Sequence, residues 1–267
     1  MGDFYRDTLQ RLLEDGWLGR DSSVLVVCGE RYDRDVLYAL GLRRVTLSNL
    51  DSRMENEDVA PYTWSRQDVE TLGFGDGSFD FVVVHQGLHH CRSPHRGLLE
   101  MYRVARTGVL AFEPRDTPLV RLGVKLGFGQ EYEVAAVAAN ELECGGVGNS
   151  PTPNFVYRWT EREIEKTIHS AHPEGLAKFR YFSSLRVPEG RIQSMRNRVV
   201  AGVLRSLLPG ARLIARLFPK QGNCFAFAIT KTRSLHPWMK EDGTVDADWV
   251  KERYSVENLI AVAKERG

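Results

Sequence analysis

A few residues in this sequence have side chains suited to chemistry, and they fall where an α/β chain presents such groups. Gly29, Asp51, Asp68, His85 and Glu113 each stand at the end of a candidate strand, and His89 and His90 follow closely behind His85. A carboxylate about 20 positions after a glycine turn is placed to accept both hydroxyls of a ribose diol, and Asp51 stands 22 residues after Gly29. Asp68 can accept from an adenine amino group, with the backbone at Val69 along the ring edge. Imidazoles titrating near neutral pH suit removal of a proton from a hydroxyl. His85, His89 and Glu113 are therefore the candidate catalysts, with His90 and Tyr132 behind them. Each also has a purely structural alternative: Asp51 and Asp68 can cap a turn or helix, and a histidine after a buried strand can be satisfied by a carbonyl.

These residues need a frame, and the apolar pattern supplies one. Ser23 to Cys28, Arg44 to Leu50, Tyr62 to Arg66, Phe79 to Val84 and Thr107 to Phe112 read as strands. The clearest are continuous apolar runs without in/out alternation, as in strands buried on both faces. Helical spacing covers residues 3–15, 33–40 (with Gly41 to end it) and 94–105 between or before them. Strands alternating with helices predict a mostly parallel, open twisted sheet with helices on both faces. In such sheets ligands bind beyond the carboxyl ends of the strands, where the five residues above lie.

After Glu113 the alternation stops. Residues 115–150 read as one or two helices and then a loop, with Gly145, Gly146 and Gly148 in a stretch that fits a mobile lid or a plain surface loop. Thr160 and Glu163 form a capping box opening a helix to about His169. Lys178 to Ser183 and Asn223 to Thr230 are the last strand candidates. Between them, residues 186–220 carry eight Arg or Lys against Glu189 alone, with Ile192, Met195, Val199, Val203 and Leu207 on one side of a helix. Such a helix either turns that side to the core or lies on an anionic membrane surface. The stretch from 236 is a polar tail with a final helix, packing on its own domain or on a second copy.

The chain has 267 residues, 36 basic against 35 acidic, so the net charge of +1 gives no general argument for nucleic acid. Its four cysteines form no Cys-x-x-Cys pair, so neither a metal cluster nor a disulfide framework is expected. The first residues lack the basic-then-apolar order of a signal peptide, and no apolar run is long enough to span a bilayer. The expected location is the cytoplasm.

The stretches Val24 to Gly29, Val45 to Asp51, Gln67 to Glu70, Gly75 to Val84, Gly87-Leu88-His89-His90 and Glu100 to Val104 together resemble the class I, Rossmann-like methyltransferases. Asp76-Gly77-Ser78-Phe79-Asp80 leading into an apolar strand is the most specific part. The resemblance covers about residues 20–115. It implies a sheet of about seven strands whose last strand is antiparallel, a helical insertion capping the acceptor, and S-adenosylmethionine as cofactor. It further implies that Cys28, Gly29 and Glu30 line the methionine part, Asp51 the ribose, Asp68 and Val69 the adenine, and His85 the neighbourhood of the methyl group. One departure stands out: the first loop, Cys28-Gly29-Glu30-Arg31-Tyr32-Asp33, has a single glycine.

The expected organisation is one methyltransferase domain over 1–235. Its cofactor half covers about 20–115, acceptor-cap insertions cover about 115–175 and 186–220, and the tail is 236–267. The expected acceptor is a small molecule, a sugar or a lipid-linked sugar, methylated on a hydroxyl oxygen; nitrogen and carbon acceptors, and a binding protein that keeps the fold without activity, stay open. A nicotinamide-dependent oxidoreductase is disfavoured because its three-glycine signature is missing at 28–33.

Overall fold

The computed structural model describes residues 3–53, 59–186, 192 and 196–266. Seven strands form one sheet: β1 (Ser23–Val27), β2 (Arg44–Asn49), β3 (Thr63–Arg66), β4 (Phe79–His85), β5 (Ala105–Pro114), β6 (Gly175–Ser184) and β7 (Cys224–Leu235). Their order is β3-β2-β1-β4-β5-β7-β6. The first five run parallel, and β7 is antiparallel to both β5 and β6. This is the expected mostly parallel sheet with an antiparallel last strand. The chain leaves β1 outward to β2 and β3, then returns to β4 on the other side, so the order reverses between β1 and β4.

The apolar runs explain the layers. In β1, Val24 and Val26 face one core and Leu25 and Val27 the other. The first core is covered by α1 (Phe4–Glu14) and α2 (Arg31–Ala39) through Leu9, Leu12 and Leu37. The second is covered by α3 (Pro94–Val104) and, beyond α4 (Pro118–Lys125) and α5 (Val134–Ala139), by α6 (Glu161–Ala171) through Leu98, Met101, Ile164 and the fully buried Trp159. Local signals set the helix starts. Ser93 and Thr117 cap helices that open on proline, and the Thr160–Glu163 capping box forms as the spacing requires.

The basic stretch is where the structure departs from expectation. Helix α7 (Arg198–Leu217) buries Ala201, Leu204 and Leu208 against Ile192 and Phe128. Of the side expected to face either the core or a membrane surface, Ile192 is buried, whereas Val199, Val203 and Leu207 are 76%, 54% and 48% exposed. The helix carries apolar residues around most of its circumference, so period alone does not choose the packed face. Met195, Arg191 and Glu189 lie outside the described residues. The tail holds two helices where one was expected, α8 (Ala247–Arg253) and α9 (Val256–Arg266). Among the described residues no helix is long and apolar enough to cross a membrane.

Candidate functional site

The carboxyl ends of β1 and β4 meet at the reversal of strand order. A Cβ added to Gly87 would fall 2.5 Å from the Cys28 Cβ, so only glycine lets the two loops touch. The left-handed residue of the first loop is Cys28 (φ 52°), not Gly29; Gln86 (φ 59°) has the same backbone after β4. Side chains at such φ cost about 1–2 kcal/mol, and both mark the same junction. Gly29 is constrained by packing instead: its Cβ would lie 3.0 Å from Val26 Cγ1 and 3.3 Å from Leu47 Cδ2.

Carboxylates crowd this junction. The Cys28 thiol is pushed up to about 12 by burial and then by Glu113, Asp33, Asp68 and Glu30 around it. Glu30 is raised by burial and by Asp33. Asp33 accepts from the Glu30 amide at 2.9 Å, while its Oδ1 is buried without a hydrogen-bond partner, 3.6 Å from His85 Nδ1. His85 stacks flat on Tyr5 of α1, ring centroids 4.2 Å apart. The N-terminal helix thus roofs the end of β4.

Asp51 ends the second strand as expected. Asn49 ties the two loops together, its Nδ2 donating to the Gly29 carbonyl at 3.2 Å and its Oδ1 accepting from the Asp51 amide at 3.0 Å. Both Asp51 oxygens receive the Arg53 guanidinium (Nη2 to Oδ2 2.6 Å), which holds the carboxyl below its usual range. Arg53 also donates to Asn140 Oδ1 at 3.0 Å, so a residue just past α5 reaches back over the β2 loop. Asp68 accepts from the Glu70 amide at 2.9 Å, and Val69 is buried in the second core.

The tightest cluster follows β4. Glu113, fully buried at the end of β5, accepts from the Gly87 and Leu88 amides at 2.9 and 2.8 Å and holds His89 Nδ1 at 2.7 Å. On the other side of His89, Nε2 lies 3.3 Å from Glu133 Oε2, and His90 Nε2 lies 3.5 Å from the same oxygen. Burial alone would depress His89, but Glu113 and then Glu133 outweigh it and hold the ring at about 9. His90 is depressed by burial and by the charge of His89. His89 holds Glu133 down at about 2 against the effect of burial. Asn154, also buried, donates to the His89 carbonyl at 3.0 Å and to Glu133 at 3.4 Å.

The structure thus gathers Cys28, Gly29, Glu30, Asp51, Asp68, His85, His89 and Glu113 at one end of the sheet. Tyr132 is not in the cluster; it is largely exposed and pairs with Phe155. Sequence reasoning missed Glu133, Asn154, Asn49 and Gln86. No local signal points to Glu133 or Asn154, because both reach the site from the segment after β5. Asn49 sits two residues before Asp51 and Gln86 one after His85, so both were legible by position.

Residues 25–112 match the family model described as a methyltransferase domain. No curated protein sequence matches the chain. Among solved structures, the YcgJ protein of Bacillus subtilis is similar at 11% identity and a TM-score of 0.53, covering 85% of this chain and 99% of that one. A SAM-dependent methyltransferase from Archaeoglobus fulgidus is similar at 13% identity and a TM-score of 0.50, covering 85% and 94%. Residues 25–112 are thus similar to a methyltransferase domain, and the sheet that carries them has the class I, Rossmann-like methyltransferase fold.

Proposed function

We propose that this protein transfers a methyl group from S-adenosylmethionine to a hydroxyl oxygen of a small molecule or glycan. The observation that carries the oxygen preference is the cluster of His89, His90, Glu113 and Glu133 beside the β1–β4 junction. When bound, S-adenosylmethionine supplies an electrophilic methyl group on a positively charged sulfur.

The residues present fit that group. Glu30, Asp33, Asp51, Asp68 and Glu113 make the junction strongly acidic, which suits a cation. Asp33 Oδ1 is a buried acceptor without a partner. Cys28, Gly29 and Glu30 would line the methionine part, Asp51 the ribose, and Asp68 with Val69 the adenine. Arg53 must release at least one Asp51 oxygen for the ribose to take its place.

With that methyl group supplied, an acceptor hydroxyl would have to be held in line with it and relieved of its proton by residues of this chain. Much of the acceleration comes from holding the partners in line, about 7–11 kcal/mol in good cases. Within the imidazole–carboxylate cluster, His90, held below its usual range by burial and the charge of His89, takes the proton. Glu113, wholly buried, acts as a positioning residue that fixes His89 and the Gly87–Leu88 backbone. His85 orders the junction under Tyr5 and faces the methyl region. In this reading residues 115–175 cap the acceptor and 236–267 form a separate tail.

Calorimetric titration with S-adenosylmethionine and S-adenosylhomocysteine is the test. Micromolar binding that Asp51→Ala abolishes supports the reading. Failure to bind either ligand sinks it in favour of a binding protein that keeps the fold. Transfer of a labelled methyl group to a panel of alcohols, sugars and amines then tests the acceptor. Turnover on hydroxyls should fall at least tenfold in His85→Ala and in His89→Ala. Labelled product on amines alone would end the oxygen assignment.

A further inference from the structure

We infer that His89, His90 and Glu133 form a binding site for a divalent transition cation of the zinc type. The three ligand atoms lie within 4.8 Å of one another. Tetrahedral zinc with bonds of about 2.0–2.1 Å places neighbouring ligand atoms about 3.3–3.4 Å apart. The two separations from Glu133 Oε2 are 3.3 and 3.5 Å. Those distances are long for charge-assisted hydrogen bonds, which run about 2.7–2.9 Å, whereas the His89–Glu113 pair closes to 2.7 Å. The cluster is therefore tight where a supporting contact belongs and open where an ion would sit.

The surroundings agree. A metal-binding histidine usually gives its other ring nitrogen to a carboxylate, which fixes the ring and its tautomer. Glu113 does this for His89 through Nδ1, leaving Nε2 to the ion. Asn154 steadies both His89 and Glu133. Two imidazoles and one carboxylate leave a fourth position for water or for an acceptor oxygen, the open arrangement of catalytic zinc. Glu133 belongs to the segment after β5 and the histidines to the β4 loop, so the ion would join cap to sheet. Its use in activating a hydroxyl rests on the methyl-transfer reading; cation binding does not.

The untagged full chain, stripped with chelator, is titrated with zinc against a chromophoric chelator and with cobalt by visible absorption. One equivalent of zinc, and the intense visible bands of tetrahedral cobalt, are expected. His90→Ala and Glu133→Gln should each weaken zinc at least tenfold, while His172→Ala leaves it unchanged and circular dichroism confirms folding. Absence of one-equivalent uptake, or uptake that survives the His90→Ala, Glu133→Gln double variant, overturns the site. S-adenosylmethionine binding is measured on the same samples, so failure of the cation site and failure of the methyl-transfer reading are told apart.

A separate observation concerns α7. Opposite its packed stripe, Val199, Val203, Leu207, Ile214 and Leu217 form an exposed apolar stripe. Arg198, Arg205 and Arg212 recur every seven residues along one flank, and the helix holds no acid. We propose that this face docks on an anionic bilayer surface, apolar stripe inward and arginines toward the headgroups. Pairing this face with the same face of a second copy would bring like-charged arginine rows together. Sedimentation with phosphatidylserine-containing vesicles should show binding that high salt weakens and that Leu207→Asp or Arg198→Glu/Arg205→Glu removes, with circular dichroism unchanged. Indifference to such vesicles at low salt, or concentration-dependent dimers that Leu207→Asp dissolves, overturns it.

Discussion

The two halves of the site are built differently. In the half that carries β1 to β5, each candidate residue stands at or just past a strand end, and parallel register brings the strand ends side by side. Glycine contacts and buried side chains hold them. In the segment after β5, Glu133, Asn140 and Asn154 arrive on irregular backbone and meet the sheet through a few polar contacts. Position comes from sheet register in the first case and from individual long-range bonds in the second. The first should tolerate loss of single polar contacts, whereas the second should not.

Trp159 tests this division with the largest expected effect. It is fully buried, between His95, Tyr157 and Phe227 where the segment after β5 joins the second core. Trp159→Ala should cost about 3–5 kcal/mol in denaturant unfolding; a loss under about 1 kcal/mol would mean that segment is not anchored there. Gly87→Ala comes next, at about 1–3 kcal/mol from overpacking on Cys28, together with loss of S-adenosylmethionine binding. Adding Cys28→Gly, which clears that contact and suits φ 52° but leaves Val84 Cγ2 at 2.9 Å, should restore both properties in part; no rescue would locate the damage elsewhere.

Asn154→Ala should cost about 1–2 kcal/mol by stranding buried polar groups. It should also speed proteolysis in residues 130–150 selectively; uniform cleavage across the chain would erase the contrast between the halves. The smallest effect is expected from Arg53→Ala. Stability should barely move, because exposed ion pairs contribute little, but affinity for S-adenosylmethionine should rise as Asp51 is freed. Weaker binding would show that Arg53 serves the ligand instead of competing with it.

Much of the first half was legible because two simple regularities coincide there. Apolar runs such as Val24 to Val27 mark strands buried on both faces, and the residues that end them must lie together in a parallel sheet. The single glycine of the first loop was visible too, but not its consequence. That Cys28 takes the left-handed backbone follows from its contact with Gly87, a residue three strands later in the chain. In the second half the Thr160–Glu163 capping box was readable because it is local. The packed face of α7 was not, since its circumference offers more than one apolar stripe and tertiary contacts, Phe128 and Ile192 among them, select between those stripes.

The sequence by itself determined the parallel sheet, its strand ends and the acids and histidines on them, because apolar periodicity and sheet register are local rules that repeat. Only the tertiary structure decided that Glu113 is buried behind His89, that Glu133 faces both histidines, and that Asn154 bonds the His89 carbonyl. Those pairings join segments far apart in the chain. They are selected because a buried polar or charged group must find a partner, and no short window of residues contains both partners.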